Sequence, residues 1–187
     1  MRPLELIVEG FRSYRSRAVF DFRDRRLVGI VGPIGSGKSS ILDAISFALY
    51  GKTPQVEGAT KALIHQLADQ SHVELRFQVN GQVWRAVRSL RRKGASGHQL
   101  ELLTADEPDA EVVETVTLER HMNARIEQLL GMDFKTFCLY IIAGFMVTHE
   151  HTPFYPSNLV AESSIGKVEG FRKACLKKFK LFNSSCW

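Results

Sequence analysis

The chain has 187 residues, 44% of them hydrophobic and 24% charged, with a net charge of +5 and a pI near 9.2. That length supports one domain with a real core, and the balance excludes a disordered or low-complexity chain. No apolar run reaches the ~20 residues of a membrane-spanning helix, and three scattered cysteines without a CxxC pair exclude a disulfide framework and a standard zinc site. Arg2 and Glu5 interrupt the first apolar stretch, which lacks the core of a signal peptide, so a cytoplasmic location is expected. The mildly basic charge permits a nucleic-acid partner without requiring one.

In chain order, residues 4–11 and 18–22 are rich in apolar and β-branched types and predict two strands. Residues 27–31, Leu-Val-Gly-Ile-Val, are nearly all apolar and predict a strand covered on both faces. A Gly-rich turn follows, then a helix over 38–50 whose Ile41, Leu42, Ile45 and Leu49 fall on one face, stopped by Gly51. Residues 52–71 predict loop with a short helix. Val73, Leu75, Phe77 and Val79 alternate with polar residues as in a half-buried strand. Asn80-Gly81 is a strong hairpin signal, and residues 82–89 form the returning strand. Residues 98–103 and 112–117 predict two more strands around a turn at 106–109. A helix over 118–130 is expected from Leu118, Met122, Ile126 and Leu129, with Thr117 as N-cap and Gly131 as stop. A short helix starts near Asp133.

Gly32-Pro33-Ile34-Gly35-Ser36-Gly37-Lys38-Ser39 matches GxxxxGK[ST], the P-loop pattern, between a predicted strand and a predicted helix. Glycines let the backbone wrap closely around phosphate oxygens with its N–H groups turned inward, and the helix start adds its positive dipole end. Lys38 is expected to bridge the β- and γ-phosphates, and the Ser39 hydroxyl to complete a Mg²⁺ shell. The bland alternative is a Gly-rich turn without a ligand. Binding and hydrolysis are separate expectations, because hydrolysis needs more parts than this loop.

Residues around the motif resemble a family. Gly10-Phe11-Arg12-Ser13-Tyr14, the lead Val28-Gly29-Ile30-Val31-Gly32-Pro33, and Ser39 through Phe47-Ala48-Leu49-Tyr50-Gly51-Lys52-Thr53-Pro54 are similar to the start of SbcC-type exonuclease subunits, within the wider group of ABC-type chromosome-handling ATPases that includes SMC, RecF and RecN proteins. The likeness continues through Leu129-Leu130-Gly131-Met132-Asp133-Phe134 to about Cys138. It implies an α/β P-loop NTPase of the ABC type, with residues 1–138 as the N-terminal half of an ATPase head, a mixed β-rich lobe plus helices. Carried onto this sequence, it implies a nucleotide site of Gly32, Pro33, Gly35, Ser36, Gly37, Lys38, Ser39 and Ser40, with Arg12 and Ser13 near the nucleotide, ATP and Mg²⁺ as cofactors, and Ser39 as the metal ligand. Residues 62–64 fall where relatives approach the adenine. The implied partners are an SbcD-like nuclease, DNA and a complementary head, and the implied role is ATP binding in double-strand-break repair, with no membrane involved.

The sequence also departs from that pattern. Ile34 stands where relatives carry Asn or Thr. Near residue 145 a Gln in Pro-Gln-Gly is expected, yet no Gln follows Gln128, and the signature segment, acidic Walker B strand and switch His are missing. Residues 1–138 hold 14 Arg and 5 Lys, whereas 139–187 hold one Arg and 5 Lys. Residues 139–187 therefore read as a divergent tail, either of separate origin (a frameshift or fusion) or by chance variation, and the chain as an incomplete head that hydrolyses no ATP unaided. Two other readings stand beside this one: a remnant that at most binds nucleotide, and an SMC- or RecF-like DNA-structural ATPase. The cluster Arg85, Arg88, Arg91, Arg92 and Lys93 reads as a solvated strand end or as a DNA-backbone contact. His149 and His151 lack standard metal spacing, and residues 165–182 form a basic amphipathic stretch with no clear partner.

Overall fold

A computed structural model describes residues 1–24, 28–56 and 60–139. The chain divides into two units, Met1–Cys138 and Leu139–Trp187, and all but one of the described residues belong to the first. Its elements are β1 (Arg2–Glu9), β2 (Ala18–Asp21), α1 (Lys38–Tyr50), a 3₁₀ turn (Thr60–Leu63), β3 (Gln70–Val79), β4 (Gln82–Arg91), β5 (Gly97–Leu103), β6 (Val112–Val116) and α2 (Glu119–Leu130). The strands form one antiparallel sheet in the order β2-β1-β3-β4-β5-β6. Asn80 and Gly81 turn the β3–β4 hairpin with φ of 51° and 78°, conformations that Asn tolerates and Gly adopts freely.

Register aligns one apolar face across the sheet. Leu6, Leu75, Ala86 and Leu100 share one row, and Val8 and Val73 the next. α1 lies on this sheet through Ala44, Phe47 and Ala48, all buried, and the Phe47 ring meets Phe11 with centroids 5.6 Å apart. Leu42 and Ile45, expected on the buried face, are half-buried; burial instead follows Ile41, Ala44, Ala48 and Leu49 and closes around the last turn. Trp84 is fully buried, with the Arg125 guanidinium of α2 stacked over it at 5.2 Å. The opposite face carries charge held in pairs. Arg85 bonds Glu101, and Arg23 binds both oxygens of Asp106 (2.8 and 3.1 Å) while reaching Glu5 at 3.0 Å, pinning the β5–β6 loop to β1.

Three expectations are corrected. Residues 28–31 are not a strand. Val28 is 46% exposed and Val31 93%, because a strand requires a ladder partner and no strand among the described residues pairs with them. α2 starts one residue late for a Thr117 cap: Leu118 is its N-cap, in extended conformation, and no side chain caps it. Of the arginine cluster, Arg91, Arg92 and Lys93 are exposed at the end of β4, as expected of a solvated strand end, but Arg85 and Arg88 are not. Arg85 is paired, Arg92 donates to the carbonyls of His65, Gln66 and Ala68, and Arg88 is completely buried. Period-two alternation explains Arg88: with Trp84, Ala86 and Leu90 it occupies the inward positions of β4.

Next to Arg88 in the register lies His98, whose Nδ1 is 3.1 Å from the Arg88 guanidinium. Burial and the Arg88 charge hold its pKa below the ordinary value, with Glu119 opposing them. The unfolded chain therefore takes up this proton first. Stability contributed by neutral His98 is complete above the unfolded value of about 6.5 and is lost as pH falls through the lower folded value. Melting at about pH 7.5 and about pH 5 is expected to show a smaller acid-induced drop for His98→Gln than for the wild type. Equal drops would remove His98 from the acid response. The His149/His151 pair, residues 165–182 and the expected Gln position lie outside the described residues.

Candidate nucleotide-binding site

α1 begins where the Gly-rich turn ends. Gly37 is its N-cap, left-handed at φ 90°, with no side-chain cap bond; Gly35 also has positive φ, at 84°. A residue with a Cβ is doubly disfavoured at Gly37: the conformation is strained, and the added carbon would lie 3.2 Å from Ser13 Cβ and from the Tyr14 ring. Ser36 N–H donates to Pro33 O (3.2 Å), closing the turn, and Ser40 N–H donates to Gly37 O (3.0 Å). The N–H groups of Lys38 and Ser39 lie in the first helical turn, where no intrahelical acceptor exists. No acidic side chain occupies that turn, so the positive end of the helix is left for an external anion.

Lys38 folds back over its own loop, its Nζ donating to Gly32 O and Pro33 O at 2.8 Å each. An ammonium so placed satisfies two carbonyls at the surface and can exchange them for phosphate oxygens. Ser39 is exposed. Ile34, at the tip of the turn, is 100% exposed, and its side chain touches none of the structure that shapes the loop.

The segment after β1 packs against this turn. Phe11 and Tyr14 exchange backbone hydrogen bonds (2.9 and 2.8 Å), and Arg12 between them is left-handed, at φ 49°. Arg12 binds Asp43 of α1 through Nε at 2.9 Å and Gln55 at 2.8 Å. Burial raises the pKa of Asp43 while the Arg12 hydrogen bond and charge oppose that rise. Ser13 and Ser40 hydroxyls are 3.0 Å apart, and Tyr14 Oη donates to Gly37 O at 3.3 Å. All ten expected residues thus gather at the N-terminal end of α1, either in the turn itself or, for Arg12 and Ser13, against its first two turns. Ala62 and Leu63 lie in the 3₁₀ turn, and Leu63 O accepts from Arg12 N–H at 2.8 Å.

Tyr14, Asp43 and Gln55 complete the arrangement without having been assigned roles from sequence. Asp43 had a legible signal: it follows Ser39 by four positions, on the helix face that the incoming strand must cover. Tyr14 and Gln55 had none, because their contacts span 23 and 43 residues. Among the described residues no group of three or more His, Cys, Asp or Glu side chains could hold a metal by itself, so a cation here would depend on Ser39 together with the phosphates it accompanies. The donor set fits such a load: free N–H groups, one ammonium and one hydroxyl suit an anion that brings its own metal. Among those residues no helix is long and apolar enough to cross a membrane.

The AAA domain family matches residues 5–144. The chain is similar to the SbcC component of nuclease SbcCD from Deinococcus radiodurans, 36% identical over 97% of this chain and 20% of that protein. It is 32% identical to the Probable DNA double-strand break repair Rad50 ATPase of Aquifex aeolicus, over 76% of this chain and 14% of that protein. An SMC head domain from Thermotoga maritima gives a TM-score of 0.44 at 28% identity, covering 67% of this chain and 42% of that one. The chain therefore spans about a fifth or less of the length of these curated relatives. The Deinococcus alignment extends past residue 138, where the composition changes.

Proposed function

The chain belongs to the AAA domain family, and on that premise we propose that it is the ATP-binding N-terminal head segment of an SbcC-like ATPase acting in DNA double-strand-break repair. The observation that carries this reading is the junction at α1: a turn with two left-handed glycines, uncapped N–H groups and Lys38 held by surface carbonyls. In this reading Gly35, Gly37, Lys38 and Ser39 offer backbone N–H groups to the phosphates, and Lys38 leaves the Gly32 and Pro33 carbonyls to meet the charge. Ser39 would ligate Mg²⁺, Ser40 is aligned by Ser13, and Arg12 stands nearby on Asp43. Bound Mg²⁺ would neutralise charge on the triphosphate.

The named relatives support the wider role: a component of a nuclease and a DNA double-strand break repair ATPase. Partnership with an SbcD-like nuclease, with DNA and with a complementary head, and residence in the cytoplasm, belong to the same proposal. So does the division at residue 138. That the Deinococcus alignment runs into residues 139–187 favours divergence of this segment over a separate origin. The uncovered apolar run at 28–31 supports the reading of part of a head, since such a run is suited to a strand buried on both faces.

Binding without turnover is the expected behaviour of this chain, because Asp43, the carboxylate gathered at α1, is held by Arg12 rather than free to take a proton from water. A fluorescent ATP analogue titrated with and without EDTA tests this, with phosphate release followed in the same samples. Saturable, Mg²⁺-enhanced binding with no release is expected. Release that follows the bound fraction would instead favour a working enzyme, and absence of binding by folded protein would refute the nucleotide site.

A further inference from the structure

The far end of α1 is held by a buried cation. The 13 residues of α1 place it about 20 Å from the phosphate turn along the helix axis. There Arg88 of β4 donates from Nε to Ala48 O (3.0 Å) and from one terminal nitrogen to Leu49 O (2.9 Å), two of the carbonyls that a helix leaves unpaired. The same nitrogen reaches Asn123 Oδ1 of α2 at 2.6 Å, and the other lies 3.1 Å from His98 Nδ1. Among the described residues its carboxylate neighbour is Glu119, 3.8 Å away and half exposed. With only a distant, half-exposed carboxylate beside it, the buried guanidinium draws counter-charge also from the negative end of the helix dipole. The fit is tight, since a Cβ on Gly51, the C-cap of α1, would lie 2.9 Å from the guanidinium.

These contacts fix α1 along its own axis. Packing of Phe47 and Ala44 on the sheet sets how far the helix stands from the strands, but apolar contact resists sliding weakly. Directional hydrogen bonds to two terminal carbonyls resist it strongly. Because α1 is a rigid element, its axial position sets where Gly37, Lys38 and Ser39 stand relative to Ser13 and Tyr14.

We propose that Arg88 is a positioning residue for the phosphate loop, acting through the C-terminal carbonyls of α1. The inference rests on the reading of residues 32–40 as an ATP site. Arg88 touches no ligand. It also ties α2 to the same helix end through Asn123, so α1 and α2 keep a common reference.

The test compares Mg·ATP affinity of the full chain carrying Arg88→Met, Arg88→Lys or Arg23→Ala, each at a temperature where circular dichroism shows it folded. Arg23→Ala removes the Asp106 and Glu5 clamp on the other face of the sheet and serves as a destabilised control. Arg88→Met is expected to weaken binding roughly 10-fold, and Arg88→Lys, which keeps a donor but not the fork, roughly 3-fold. Arg23→Ala is expected to lower the melting temperature with affinity unchanged. Wild-type affinity in folded Arg88→Met overturns the inference, and so does equal weakening in Arg23→Ala, which would make the effect one of general stability. If Arg88→Met does not fold, Arg88→Lys decides by the same criterion. Absence of binding by the folded wild type would instead refute the ATP site itself, a separate and recognisable result.

Discussion

Truncating Phe47 to alanine is expected to lower the stability of the protein by about 3–5 kcal/mol. Its side chain is 1% exposed, in the third turn of α1, and faces the Phe11 ring that closes the sheet beneath the turn of Arg12 and Ser13. Alanine there removes the buried ring and leaves a cavity between Phe11 and the strands, which a close-packed interior refills only in part. Against a typical domain stability of about 5–15 kcal/mol such a loss is large. Urea unfolding should show a lower midpoint with an unchanged slope. Ile34→Ala, at a fully exposed position, should move the midpoint by no more than the equivalent of about 0.5 kcal/mol. A small effect at Phe47 would mean that α1 is not seated on the sheet as described.

Local signals in this chain are short-range, and they were legible. The α1 boundaries, Lys38 and Tyr50, follow from glycines on both sides of an apolar repeat, and the β3–β4 hairpin from Asn80-Gly81 between alternating strands. The order of the sheet was not legible, because β1 pairs with β3 across some 70 residues and alternation alone names no partner. The failure at residues 28–31 has the same origin: composition reports that a segment is suited to burial in a sheet, not that a ladder is present. Arg88 was misread for a different reason. Charge argued for the surface, while its position two residues from Ala86 and Leu90 argued for the core, and the alternation was the stronger evidence. Of the candidate site, the turn itself was legible as a motif. Asp43 was legible only as a helix-face position, and the support from Tyr14 and Gln55 was not legible at all, since it depends on how the segment after β1 meets α1.

Replacing Lys38 with alanine is expected to weaken Mg·ATP binding about 100-fold or more, the loss of near 3 kcal/mol of charge-assisted contact with the triphosphate. The unliganded protein should hardly notice the change. Among the described residues Lys38 Nζ is partnered by the carbonyls of Gly32 and Pro33 at an exposed turn, which water can satisfy equally well, so melting should stay within the equivalent of about 0.5 kcal/mol. This separation makes the substitution informative: affinity falls while the fold stays. The direct test of the nucleotide site is therefore calorimetric titration of Mg·ATP into wild-type and Lys38→Ala protein, both confirmed as folded by their melting curves. Saturable heat in the wild type that disappears in Lys38→Ala is the predicted result. Equal heats in the two proteins, or none in a folded wild type, would contradict the assignment of residues 32–40 as a phosphate-binding loop.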